Sequence, residues 1–175
     1  MSLQTVLGER VESEREKRFL AAHAAGHARI YRYFRRRIDD AATAEDLCSE
    51  VFRIAWEKSG QGGELSVMIL FGVAKNVLRN HDRSLSRSAG LIGALRMERS
   101  TEAPGNESAV RDALNLLSTD DRDVLLLTYW DGLTSSEVSD LLNTTSTAVR
   151  MRLHRARKEL SRALQGQAIS EGVSE

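Results

Sequence analysis

The stretch from Thr134 to Arg157 constrains the fold of this chain more than any other part of it. It opens on Thr134-Ser-Ser-Glu137, a capping box in which a hydroxyl and a carboxylate satisfy each other's orphan backbone amides. A short helix over 135–142 then meets a turn at Asn143-Thr144, and a second helix starts near Ser146. Counted from Ser135, a small residue (Ser139) is fifth, Asn143 is ninth and the branched Val149 is fifteenth. The small side chain lets two helices approach closely. Asparagine tolerates left-handed backbone better than other non-glycine residues. Val149 plugs the second helix into a core, and Leu153, Ala156 and Leu160 continue that stripe. These are the requirements of a helix-turn-helix. The opposite face carries Thr147, Arg150, Met151, His154, Arg155 and Lys158, the side that a recognition helix offers to the major groove. Arginine there can grip guanine bidentately. Taken alone, the same residues also suit a basic surface helix in an ordinary helical hairpin.

The remaining sequence reads as helix almost throughout. Phe19, His23, Gly26, Ile30, Phe34 and Ile38 recur at three-to-four spacing and define one stripe on a long first helix. Thr43-Ala-Glu-Asp46 reads as a capping box, with Leu47, Val51, Ile54 and Ala55 on the apolar face behind it. Ser59-Gly60-Gln61-Gly62-Gly63 should stop that helix, since three glycines penalise it. A third helix follows with Leu70, Val73, Val77 and His81 on one side. From Ser84 to Glu107 the periodicity weakens around the only proline, Pro104, as a linker would. Ser118-Thr-Asp-Asp121 then opens a helix filled by Val124, Leu125, Leu127 and Tyr129 and ended by Gly132. No alternating strand pattern and no repeat occurs. The expectation is all-α: two small helical domains over 1–83 and 108–175, joined by a flexible linker over 84–107.

Charge sharpens this reading. The chain has 25 basic and 25 acidic residues, a net charge of zero that, taken alone, argues against a polyanionic partner. The distribution says otherwise. Arg150, Arg152, Arg155, Arg157, Lys158 and Arg162 face only Glu159 between Thr147 and Leu164. Lys75, Arg79, Arg83, Arg87, Arg96 and Arg99 outweigh Asp82 and Glu98. A polyanion responds to the local field, because screening confines the interaction to about 10 Å. The lone Cys48 excludes an internal disulfide and fits a reducing compartment. It reads either as a small buried hydrophobe or as a redox sensor. The nearly apolar run Leu65 to Ala74 is too short to span a bilayer, and the charged start MSLQTVLGERVESEREKR does not read as a signal peptide. A cytoplasmic protein without membrane insertion is expected. His23 and His27, four apart, could share a metal, but no further ligand accompanies them and a packing role fits as well. With no phosphate loop, nucleophile elbow or triad spacing, neither enzyme activity nor a cofactor or metal is expected.

The residues Leu-Ser-Thr-Asp-Asp-Arg-Asp-Val-Leu-Leu-Leu-Thr-Tyr-Trp-Asp-Gly-Leu-Thr over 117–134 resemble region 4 of bacterial sigma factors. So do Ser-Ser-Glu-Val-Ser after them and Thr-Ala-Val-Arg-Met-Arg-Leu-His-Arg-Ala-Arg over 147–157. Ala44-Glu-Asp-Leu-Cys-Ser-Glu-Val-Phe-Arg-Ile-Ala-Trp56 and Phe71-Gly-Val-Ala-Lys-Asn-Val-Leu78 are similar to region 2. Both regions stand in the right order, over about 15–83 and 108–164, with no region between them. That arrangement resembles the extracytoplasmic-function (ECF, group IV) sigma factors. The resemblance implies a factor, monomeric when free, that directs RNA polymerase core to promoters. It implies region 4 on the −35 element and the β flap, and region 2 on the β′ clamp and the −10 element.

Asp46, Glu50 and Phe52 are then the docking residues for the clamp. The two carboxylates share a helix face, though Asp46 could also serve the helix dipole while Glu50 is merely solvated. Lys75, Asn76, Arg79, Asn80 and Arg83 would meet the opened −10 strand, although Asn76 could instead be a buried hydrogen-bonding residue. Departures are Ile69 where tryptophan is usual, Ser49 where glutamine is usual, and Asn143 in place of glycine. Few aromatic residues near the −10 helix imply weak strand opening and a narrow promoter set. The two-domain layout predicts an anti-sigma partner, with the acids Asp120, Asp121 and Asp123 as a candidate contact, though helix capping alone explains them as well. The alternative reading is a sigma mimic that binds an anti-sigma factor without binding DNA.

Overall fold

A computed structural model describes residues 3–60, 64–91 and 106–171. Its elements are α1 (Leu3–Arg35), α2 (Ala41–Ser59), α3 (Val67–Leu91), α4 (Asn106–Asn115), α5 (Thr119–Leu125), α6 (Ser135–Leu142) and α7 (Ser146–Glu171). A π-helical turn, Leu126–Trp130, continues α5. No strand occurs among the described residues, so the expected all-α class holds. The chain divides into two compact units, Met1–Arg99 and Ser100–Glu175.

In the first unit α1, α2 and α3 pack mutually around Ile30, Phe34, Val51, Leu70 and Phe71, all fully buried. Gly26 is where α1 meets α3. A Cβ built there would lie 2.4 Å from Leu70 Cδ1, so the bare backbone sets the closeness of the two helices. Arg15 pins the start of this bundle to the end of α2. Its Nη2 donates to the Trp56 carbonyl at 2.8 Å, its Nε to Ser59 Oγ at 3.0 Å, and its guanidinium lies 3.9 Å from the Trp56 ring centre.

Two expectations are corrected here. Helix α2 begins one turn before the Thr43-to-Asp46 box. Asp40 is its N-cap, in extended conformation, and its carboxylate accepts from the Thr43 amide at 2.7 Å. The ionised acid is the stronger acceptor for an orphan amide, and hydrogen bonding by Thr43 holds its pKa below the ordinary range. Helix α3 also continues through Leu91, into the stretch read as linker. Residues 82–88 are exposed, and a solvated helix needs no apolar stripe, which is why the fading periodicity misled. The rest of the expected linker, 92–105, lies outside the described residues.

In the second unit α4, α5 and α6 pack on α7 or on the π-helical turn. Four consecutive residues, Val124 to Leu127, are buried together, which no regular helix of one apolar stripe would do. The π-helical turn makes this possible by re-phasing the chain. It also turns Tyr129 outward, 53% exposed, although the sequence pattern assigned it to the core. Gly132 then reverses the chain at φ 71, in the left-handed region that favours glycine.

Candidate nucleic-acid interface

The α6–α7 pair is built as the spacing predicts. The Thr134 amide donates to Glu137 Oε2 at 2.8 Å and the Glu137 amide donates to Thr134 Oγ1 at 3.2 Å, a complete capping box. Ser139 is buried at the crossing, its hydroxyl donating to the Ser136 carbonyl at 2.7 Å and lying 3.2 Å from Ser146 Oγ. Asn143 sits at φ 50, ψ 55, and the following Thr144 amide donates to the Ser139 carbonyl at 2.9 Å. Val149 is fully buried, with Leu153 and Ala156 behind it.

At about 100° per residue, Thr147, His154 and Lys158 lie nearly opposite Val149 on α7, with Arg150 and Met151 on either side. All five are exposed, Met151 to 70%. Arg155 stands apart. It lies at the rim of this face and reaches across to α5, where its Nη2 donates to Asp121 Oδ1 at 2.7 Å and its Nε to Asp121 Oδ2 at 3.1 Å. The Asp121 side chain is 4% exposed and that of Arg155 58%. The Arg155 hydrogen bonds hold the Asp121 carboxyl below the ordinary carboxylate range, against the opposing effect of burial. Ser118 therefore caps α5 through the Asp121 amide at 3.2 Å while the Asp121 carboxylate serves α7. Nearby, Arg152 Nη1 is 3.8 Å from Asp120 Oδ2, and Arg157 Nη1 donates to Tyr129 Oη at 3.2 Å.

On α3, Asn76, Arg79, Asn80 and Arg83 are exposed and Lys75 is half-buried, while Leu70, Val73 and Val77 are buried. Asn76 is exposed, its Oδ1 accepting from Arg79 Nη2 at 3.2 Å, so it is not a buried hydrogen-bonding residue. Phe71, the aromatic nearest this face, is fully buried edge-on to Tyr33 and cannot stack on a base.

The three residues assigned to docking on α2 are not brought together. Asp46 and Glu50 share the outer face, but Phe52 is only 6% exposed and faces inward. Six positions from Asp46 is a rotation of about 240°, onto the face that packs on α1. There Phe52 meets Phe19, His23 and His27 at centroid separations of 6.4, 4.5 and 5.7 Å. The outer face holds instead a residue that sequence reasoning passed over. Arg53 donates to both Glu50 oxygens, at 2.6 and 2.8 Å, and also pairs with Glu57. Its spacing from each acid could have signalled this.

Cys48 is buried, and burial pushes its thiol up to about 11, so it is no reactive thiolate. His23 and His27 pack on the aromatic cluster, and no group of three or more metal-binding side chains occurs among the described residues. No helix of the described residues is long and apolar enough to cross a membrane.

Together, α6 and α7 form a helix-turn-helix with an exposed cationic face, which defines the class as all-helical proteins built around a helix-turn-helix. Residues 107–160 match the family model "Sigma-70, region 4". The ECF RNA polymerase sigma factor SigL of Mycobacterium tuberculosis is 32% identical over 147 residues, 78% of this chain and 82% of SigL. The ECF RNA polymerase sigma factor BldN of Streptomyces coelicolor is 30% identical over 77% of this chain, which spans 56% of BldN. A Xanthomonas campestris pv. campestris protein named "Probable RNA polymerase sigma factor RfaY" is 30% identical over 67% of this chain, which spans a third of it (33%). The sigma factor RpoE of Bartonella quintana, solved in complex with the anti-sigma factor NepR, has a TM-score of 0.64 at 21% identity. The match covers 86% of this chain and 96% of RpoE. CnrH, solved with the cytosolic domain of CnrY, has a TM-score of 0.65 at 20% identity, over 92% of this chain and 96% of CnrH. The chain belongs to the ECF RNA polymerase sigma factors.

Proposed function

We propose that this protein is a promoter-specificity subunit of RNA polymerase, of the group IV kind, and does no chemistry of its own. The observation that carries the reading is the α6–α7 pair. A left-handed Asn143 and a buried Val149 leave Thr147, Arg150, Met151, His154 and Lys158 exposed together on a helix of the right build for a major groove. Region 4, over 108–175, reads the −35 element as duplex and docks on the β flap. Region 2, over 1–83, contacts the β′ clamp through the outer face of α2, Asp46 and Glu50, while α3 meets the opened −10 strand through Lys75, Asn76, Arg79, Asn80 and Arg83. The stretch 84–107 connects them, its first turns helical. The factor works in the cytoplasm, monomeric until a partner takes it. One fold relative, RpoE, was solved with the anti-sigma factor NepR, which supports an anti-sigma factor as its regulator.

The test is run-off transcription with core polymerase and a pool of genomic fragments. A defined set of start sites that needs this chain supports the reading. No chain-dependent start, together with tight capture of an anti-sigma factor, would favour the sigma-mimic reading.

A further inference from the structure

Arg155 and Asp121 are 34 residues apart and meet through one edge of a guanidinium. The buried carboxylate takes the Nε and inner Nη2 hydrogens. The other edge, bearing Nη1 and the outer Nη2 hydrogen, takes no part in this pair, and the Arg155 side chain is 58% exposed. That edge has the fork geometry that matches guanine O6 and N7. A long arginine held this way gives up its rotamer freedom before any ligand arrives, so less is lost on binding. A free arginine at the same place would serve a phosphate as readily as a base. The held plane makes it selective.

We infer that Asp121 is a positioning residue for promoter selection: it buttresses Arg155 from behind and fixes the plane in which its outer edge reads one guanine. The inference rests on the proposed function and adds to it a specificity residue that never touches DNA. The lowered pKa of Asp121 is consistent with a carboxylate kept charged for this task. Because the pair also joins α5 to α7, a purely structural brace must be told apart from a buttress. Stability and base preference separate the two.

The experiment uses holoenzyme assembled from the full chain and core polymerase, and a promoter library randomised one position at a time over the −35 element. Three variants are compared with wild type: Asp121→Asn, Arg155→Ala and Arg155→Lys. Arg155→Lys is an exposed change that keeps the charge and removes the fork, so it tests the reading even if Asp121→Asn unfolds. The expected result is loss of roughly tenfold discrimination for guanine at one and the same position in all three, within the range a bidentate contact supplies. Preference elsewhere stays intact, and Asp121→Asn combined with Arg155→Ala does no more damage than Arg155→Ala alone. The buttress is overturned if folded Asp121→Asn keeps the wild-type preference. It is overturned equally if Arg155→Lys reads that guanine as well as wild type does. A wild-type holoenzyme that selects no sequence at all would sink the proposed function itself, and the buttress with it.

Discussion

Glu50 grips Arg53 through both carboxylate oxygens, at 2.6 and 2.8 Å, so the outer face of α2 is acidic only in part. Arg53 also pairs with Glu57, while Asp46, on the same face, has no partner among the described residues. Such exposed pairs add little to stability. Their consequence is for recognition: a basic partner can take Glu50 only by competing with Arg53.

Reversing the face with Asp46→Arg and Glu50→Arg should therefore abolish capture of core polymerase while the circular dichroism stays helical. Removing the internal competitor with Arg53→Ala should leave capture at least as strong as wild type. Both are read by pull-down of β′. Wild-type capture by the double reversal would remove α2 from the clamp.

The turn of the helix-turn-helix is a stability prediction. Asn143 is the only non-glycine residue with positive φ among those described. Asn143→Val should lower the stability of the second unit by roughly 1–2 kcal/mol, the cost of a left-handed conformation for a side chain that resists it. Asn143→Gly should be near neutral, since it relieves the backbone but frees the unfolded chain. Thermal unfolding of both variants checks the pair. A Val variant as stable as wild type would mean the turn is not held at φ 50 in solution.

Why some of this was legible in the sequence, and some not, follows from the range of the interactions. Ser139, Asn143 and Val149 could be placed because their roles depend on spacing within a few turns, and local backbone geometry has few solutions. Phe52 was misplaced because resemblance carried it onto the docking surface although its helical phase lies with Val51 and Ala55. Tyr129 was misplaced because a π-helical turn shifts the register, and nothing in LLTYW announces one. The Asp121–Arg155 pair had no local signal at all. It exists only once α5 and α7 are packed.

Lys158 lies at the middle of the exposed face of α7 and makes no hydrogen bond or ion pair among the described residues, so it is suited to a phosphate rather than a base. Lys158→Ala should weaken promoter binding about equally for all sequences and reduce the slope of log affinity against log salt by about one. Filter binding of holoenzyme across a salt series measures it. An unchanged slope, or a preference lost at one base, would assign Lys158 to sequence reading instead.

His23 makes the first unit sensitive to acid. Its ring packs between His27 and Phe52, at centroid separations of 4.8 and 4.5 Å, with Phe19 at 6.1 Å. Burial, and secondarily the neighbouring charge of His27, lower its pKa from the ordinary 6.5. In the unfolded chain that imidazole takes up a proton as the pH falls through 6.5, whereas in the bundle it resists until lower pH. The unfolded state then binds more protons, so the stabilisation present above 6.5 is lost progressively as the pH falls toward the folded value. Trp56 fluorescence, in a Trp130→Phe background, reports this unit alone, because these are the two tryptophans of the chain. The thermal midpoint should fall more steeply between about pH 7 and pH 5 for wild type than for His23→Gln, which cannot titrate. Parallel lines for the two proteins would mean that the cluster accepts the imidazolium without penalty, and the acid sensitivity of the bundle would have to come from its carboxylates.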